Sequence, residues 1–153
     1  MQILCVVGAQ NSGKTTLVEA LVGALGAHGR VATIKSIHHD IDPDTPGKDT
    51  HRHRIAGADT VIGLTPSYSF EITPGGKRAA DSEQSVLVDT VERLRQRGYE
   101  YVLVEGFHDS SYPKIALGER ENIEPPVVIR ETFDSIDVAA VTNAIVEGRF
   151  GEQ

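Results

Sequence analysis

Ile3-Leu4-Cys5-Val6-Val7-Gly8-Ala9-Gln10-Asn11-Ser12-Gly13-Lys14-Thr15-Thr16 decides the fold. From Gly8 it carries a glycine, four free positions and then Gly-Lys-Thr, the pattern of a phosphate-binding loop. The apolar run from Ile3 to Val7 reads as a fully buried strand feeding the loop. Thr16-Leu17-Val18-Glu19-Ala20-Leu21 opens a helical pattern directly after it. Each residue type suits the task. Gly8 and Gly13 permit backbone torsions that let N–H groups turn inward, and the following helix aims its positive end at a phosphate chain. Lys14 adds a point charge near the outer phosphates, and the Thr15 hydroxyl is the expected magnesium ligand. Asn11, Ser12 and Thr16 complete the candidate nucleotide-binding set.

Working outward, Leu17, Val18, Leu21, Val22 and Leu25 share one helical face, with Gly29 as the expected stop. Val31 to Ile34 is a second short strand. A strand, loop, helix and strand within one short segment is the signature of a parallel sheet with a crossover helix. The predicted class is therefore α/β: a P-loop NTPase-like, three-layer fold with a mainly parallel sheet and a small antiparallel strand pair. Asp59 to Thr65 and Tyr68 to Thr73 form that pair about Pro66-Ser67, with Tyr68, Phe70 and Ile72 on the half-buried side and Pro74-Gly75-Gly76 ending it. Asp81 caps a predicted helix running to Arg97, with Gly98 as terminator. Further strands are expected at Tyr101 to Val104, Ile115 to Leu117 and Val127 to Arg130.

At the end of the chain Val138, Val141 and Ile145 predict a closing helix capped by Asp134 or Ser135. A competing reading makes Asp137 to Thr142 a strand and Thr142-Asn143 a remnant of a guanine-reading loop. Glu105 directly follows an apolar strand, where a carboxylate reaches magnesium or its waters across the strand ends. It is the second candidate metal ligand beside Thr15.

The chain of 153 residues is long enough for one domain, spanning 1–153, with a core that needs no staples. Its one cysteine, Cys5, sits in the apolar first strand and reads as a core residue suited to a reducing compartment. The start of the chain shows no basic leader, and no apolar run reaches the ~18 residues of a membrane span. A soluble cytoplasmic protein without a membrane partner is expected. The net charge of −7, with Lys and Arg scattered, argues against nucleic acid as a partner.

Between Lys35 and Asp59 lies a polar stretch that begins at the C-terminal end of a parallel strand, where open α/β sheets bind ligands. Pro43, Pro46 and Gly47 break its first half, and Lys48 to Ala58 suits a short basic helix. His38, His39, Asp40, Lys48, Asp49 and Arg52, with Lys114 further on, are the candidate phosphate or partner contacts. A solvated surface loop is the plain alternative.

The phosphate loop, His38-His39-Asp40, Pro46-Gly47-Lys48-Asp49-Thr50 with Arg52, Arg54 and Ala56-Gly57-Ala58, and Leu103-Val104-Glu105-Gly106-Phe107 followed by Pro113-Lys114-Ile115 together closely resemble the molybdopterin-guanine dinucleotide biosynthesis protein B family. The resemblance covers most of the chain. It implies a P-loop α/β fold, a homodimer, GTP with Mg2+, and assistance to the partner molybdenum cofactor guanylyltransferase, which joins GMP to the molybdenum-carrying pterin. Acting alone, such a protein is at most a slow GTPase. The family usually has a histidine where Ser36 stands and a lysine where His108 stands, which leaves Lys114 as the substitute cation. The Asn-Lys-x-Asp element of signalling GTPases is missing, so guanine preference rests on the resemblance, with the turn after Ile129 as its expected position.

Two other classes compete. A small-molecule kinase would use the same loop with residues 106 to 126 as a lid, and that region offers only Lys114 and Arg120 as the cations that must converge on a transferred phosphate. A metallochaperone would use His38, His39, His51 and His53, which converge only through a loop or across a dimer, since neighbours on a strand point apart.

Overall fold

A computed structural model describes residues 1–73, 82–119 and 122–151. Within it the chain forms two compact units, Met1–Ser36 with Leu87–Gln153, and Ile37–Val86.

The first unit is built on a five-stranded, all-parallel sheet. Its strands are β1 (Gln2–Gly8), β2 (Val31–Lys35), β5 (Tyr101–Glu105), β6 (Lys114–Leu117) and β7 (Val127–Glu131), in the order β2-β5-β1-β6-β7. Central strands of such a sheet are covered on both faces, which is why β1 reads as an unbroken apolar run. Alternation sends Leu4, Val6, Tyr101, Leu103, Ile115 and Leu117 to one face. Ile3, Cys5, Val7, Val102, Val104 and Ala116 go to the other. The first face is closed by Leu17, Leu21 and Leu25 of helix α1 (Lys14–Leu25) and by Val141 and Ile145 of helix α4 (Val138–Val146). Leu87 and Val91 of helix α3 (Glu83–Gln96) cover the second. Helices on both faces of one sheet are the expected three layers.

Some boundaries moved for local reasons. Helix α1 stops at Gly26, whose N–H bonds Val22 O, three residues before the expected glycine. Gly29 serves a different purpose: a Cβ there would lie 3.0 Å from Glu100 Cδ and 3.1 Å from Tyr101 Cε2. The cap of α4 is Asp137, whose Oδ1 accepts from Ala140 N–H at 3.0 Å, and not Asp134 or Ser135. Those two residues lie in a single 3-10 turn, Phe133–Ser135. Because Thr142 is inside α4, the reading of 137–142 as a strand fails, and with it the guanine-loop remnant at Thr142-Asn143.

The second unit holds helix α2 (Asp49–Ile55) and an antiparallel pair, β3 (Val61–Leu64) with β4 (Ser69–Ile72). Gly63 faces Phe70 across the pair, and a Cβ on Gly63 would lie 2.2 Å from the Phe70 ring, so the glycine gives that ring its seat. Tyr68 was expected on the half-buried side but is 64% exposed. Ahead of α3, Ser82 Oγ accepts from Ser85 N–H at 3.1 Å, the contact of an N-cap. The proposed cap Asp81 and the turn Pro74-Gly75-Gly76 lie outside the described residues.

Candidate phosphate-binding site

In the first unit the site is assembled at the carboxyl ends of parallel strands, the edge where open α/β sheets hold ligands. Gly8 closes β1 and Gly13 precedes α1. Both glycines are required by space. A Cβ on Gly8 would lie 2.6 Å from Leu117 O and 2.6 Å from Ser12 Oγ, and one on Gly13 would lie 2.8 Å from Phe133 Cβ and Cγ. Gly13 also has φ +87° and Asn11 φ +60°, left-handed conformations that turn the loop tightly into the helix. The first N–H groups of α1, at Lys14, Thr15 and Thr16, have no acceptor within the helix. They and the helix dipole favour an anion at this point.

Lys14 Nζ donates to Gly8 O at 3.2 Å and also to Ala9 O, folding the amine over the loop's own mouth. Ser12 Oγ is a buried side-chain oxygen with no hydrogen-bond partner among the described residues. A buried hydroxyl left unmatched costs free energy, so its presence inside a phosphate-type loop is what an absent acceptor would explain. On this observation the loop fits a phosphate chain.

Strand parity brings the candidate metal ligands together. Glu105 shares its face with Tyr101 and Leu103, the face on which α1 packs. Thr15 Oγ1 lies 3.2 and 3.1 Å from the Glu105 carboxylate oxygens and donates to them. Lys35, paired in register with Glu105, makes an ion pair with Glu105 Oε1. Lys35 is a site residue that sequence reading missed. Its proximity comes from the β2–β5 register, which no local pattern reveals. Gly106, at φ +104°, lets the chain pass Ser36, where a Cβ would lie 3.0 Å from Ser36 Cβ, so Ser36 stands behind the Glu-Gly turn.

Two hollows flank the loop. One of about 360 Å³ is bordered by Thr15, Val18, Val22, Ile34, Lys35 and Glu105. The other, of about 370 Å³, runs from Asn11, Ser12 and Gly13 to the ends of β6 and β7.

Lys114 is not at the loop. It pairs with Cys5, three residues before Gly8, and takes the sheet face opposite α1. Fully buried, its amine donates to Ser110 O and, at 2.9 Å, to Tyr112 O. Burial lowers its pKa, and burial likewise raises that of Cys5, whose thiol lies 3.4 Å from Ser110 Oγ. The substitute-cation role and the kinase reading both lose this residue as placed. Arg120 lies outside the described residues.

The remaining candidates belong to the second unit. His38, His39, Asp40, Lys48, Asp49, Arg52 and His53 are exposed. Arg52 and Asp49 form a loose pair at 3.9 Å. The contacts that shape this segment run through Asp42 and Asp44, which are not among the candidate contacts. Asp42 accepts from Asp44 N–H at 3.0 Å and from Arg54 Nη2 at 2.8 and 2.6 Å, and these bonds hold its carboxyl below the usual range. Thr50 Oγ1 donates to Asp44 Oδ1 at 3.0 Å. Among the described residues no three His, Cys, Asp or Glu side chains gather as a metal site. Nor is any described helix long and apolar enough to cross a membrane.

Known proteins resemble this chain in sequence and in fold. Residues 3–143 match the family model of molybdopterin guanine dinucleotide synthesis protein B, MobB. A molybdopterin-guanine dinucleotide biosynthesis adapter protein of Haemophilus influenzae is 35% identical over 95% of this chain and 76% of its own. Its Escherichia coli counterpart is 38% identical over 69% of this chain and 59% of its own. In fold, the crystal structure of Bacillus subtilis MobB superposes with a TM-score of 0.65 at 23% identity, covering 95% of this chain and 98% of that one. The chain belongs to the molybdopterin guanine dinucleotide synthesis protein B family.

Proposed function

We propose that this protein is a cytoplasmic, homodimeric adapter of molybdopterin-guanine dinucleotide biosynthesis that binds GTP with magnesium and assists the guanylyltransferase joining GMP to the molybdenum-carrying pterin. The observation that carries the nucleotide part is the meeting of the Thr15 hydroxyl with the Glu105 carboxylate at 3.1 Å beside a loop that holds the unmatched Ser12 hydroxyl. The adapter part is supported by the relatives named above, which carry that description.

In this reading the N–H groups of Lys14, Thr15 and Thr16 and the Ser12 hydroxyl bind phosphate oxygens, and the Lys14 amine turns from Gly8 O and Ala9 O to the outer phosphates. Thr15 and Glu105 hold magnesium directly or through its waters; when bound, the ion neutralises charge on the phosphate chain. Lys35 pairs with the Glu105 carboxylate and fixes its direction. Lys14, Thr15, Lys35 and Glu105 include no guanidinium to span a transferred phosphate, so in this reading hydrolysis by the protein alone is slow.

Calorimetry with GTP, with and without magnesium, tests this on the wild type and Lys14→Ala. Loss of a charge-assisted contact of ~1.5 to 3 kcal/mol weakens binding roughly ten- to hundredfold. Unchanged affinity in a folded variant would remove the loop from the site.

A further inference from the structure

We infer that Lys114 is a positioning residue: its buried amine pins the crossover between β5 and β6 and so holds the strand end that carries Glu105. This rests on the nucleotide reading above and gives a buried cation a part in it.

The path of the chain creates the need. β5 and β6 flank β1 on opposite sides, so the residues between Glu105 and Lys114 must cross β1. Connections between parallel strands ordinarily take about a dozen residues or more, usually with a helix. Residues 106–113 cross without one. The turn out of β5 is tight. Gly106 has φ +104° and Phe107 φ +58°, and a left-handed phenylalanine persists only where its surroundings fix it. Phe107 and Tyr112 pack into the core on the face of Cys5 and Val104, and Ser110 between them is fully buried.

A buried crossover with neither helix nor ladder leaves main-chain carbonyls short of donors, and each one unmatched costs free energy. Lys114 supplies the donors, to Ser110 O and, at 2.9 Å, to Tyr112 O. The Ser110 hydroxyl lies 3.4 Å from the Cys5 thiol, and Cys5 is the register partner of Lys114. The crossover is thereby tied both to the strand it crosses and to the strand it enters. Main-chain bonds complete the tie, with Gly106 N–H donating to Val6 O at 3.0 Å and Ser110 N–H to Phe107 O at 3.1 Å. Lysine is almost never fully buried unless paired, and here the partners are carbonyls of one loop, so the amine acts on the shape of that loop. Glu105 stands at its start, with the carboxylate on Thr15. A strand end frays unless the chain beyond it is held.

The test measures GTP affinity by calorimetry, with and without magnesium, for the wild type, Glu105→Gln, Lys114→Met, Lys114→Gln and the double variant of Lys114→Met with Glu105→Gln. Thermal midpoints and amide exchange by NMR accompany it. Lys114→Met keeps the length of the side chain and removes its donors. We expect it to cut the gain in affinity that magnesium brings by about tenfold, the lower end of what removing a group that orients a metal ligand commonly does. Magnesium-free binding should stay unchanged, and exchange at Gly106 and Ser110 should speed up relative to the amides of β1. Lys114→Gln, which keeps an N–H donor closer to the main chain, should fall between. In the Glu105→Gln background, Lys114→Met should change the magnesium gain no further. A lowered midpoint with an unchanged magnesium gain makes Lys114 merely structural and overturns the proposal. Rapid exchange at Gly106 and Ser110 in the wild type overturns it too, and that measurement stands whether or not Lys114→Met folds. Failure of GTP to bind the wild type overturns the nucleotide reading itself, and the service of Lys114 to Glu105 with it.

Discussion

Glu105 shows how much one position is decided by parity. Two residues beyond Leu103 on the same strand, its carboxylate faces α1 and meets Thr15; one residue earlier or later it would face α3. Lys114 is the counterexample, a basic residue near a phosphate-type loop whose parity and register send it to the opposite face. Glu105→Gln keeps size and a hydrogen-bonding oxygen but removes the charge that attracts a divalent cation. We expect magnesium-dependent GTP binding to weaken, magnesium-free binding to change little, and the Lys35 ion pair to be lost. Normal GTP affinity with abolished turnover, read by calorimetry beside a phosphate-release assay, would instead make Glu105 a base for the attacking water.

Among the elements, α4 depends most plainly on its cap. With nine residues it is too short to be stable by itself, and it persists because Val141, Ala144 and Ile145 are buried and Asp137 satisfies the Ala140 N–H. Asp137→Ala should cost about 1 kcal/mol, a fall of roughly 2–4 °C in the thermal midpoint for a protein of this size. Nucleotide affinity should stay unchanged, and a midpoint unmoved by the substitution would deny the cap its role. The β3–β4 pair is the contrasting element. It leaves Ile62 61% and Leu64 81% exposed together on one face, with Tyr68, 64% exposed, on the other. An apolar strand surface of this kind is a liability unless a partner covers it.

At the scale of the whole molecule, that surface is where the proposed homodimer is expected to pair. Light scattering at micromolar concentration should return a dimer, and Leu64→Glu should shift it toward monomer without unfolding the chain; a wild-type monomer would remove the homodimer from the proposal. What the sequence by itself determined was the loop and the kind of element each run forms, while caps and stops such as Gly26 and Asp137 shifted by a few residues. The glycine, lysine and threonine spacing announced the loop, apolar runs marked the buried strands β1 and β5, and helical periodicity marked α1 and α4, because backbone sterics and burial act between near neighbours in the chain. Tertiary structure alone decided what depends on register between distant segments. It placed Lys35 beside Glu105, set Phe133 on Gly13, turned Lys114 away from the loop, and made Gly29 a point of close approach rather than a helix stop. None of these leaves a local trace, because each is fixed by which strands lie side by side, and that is settled by packing the whole sheet between its helices.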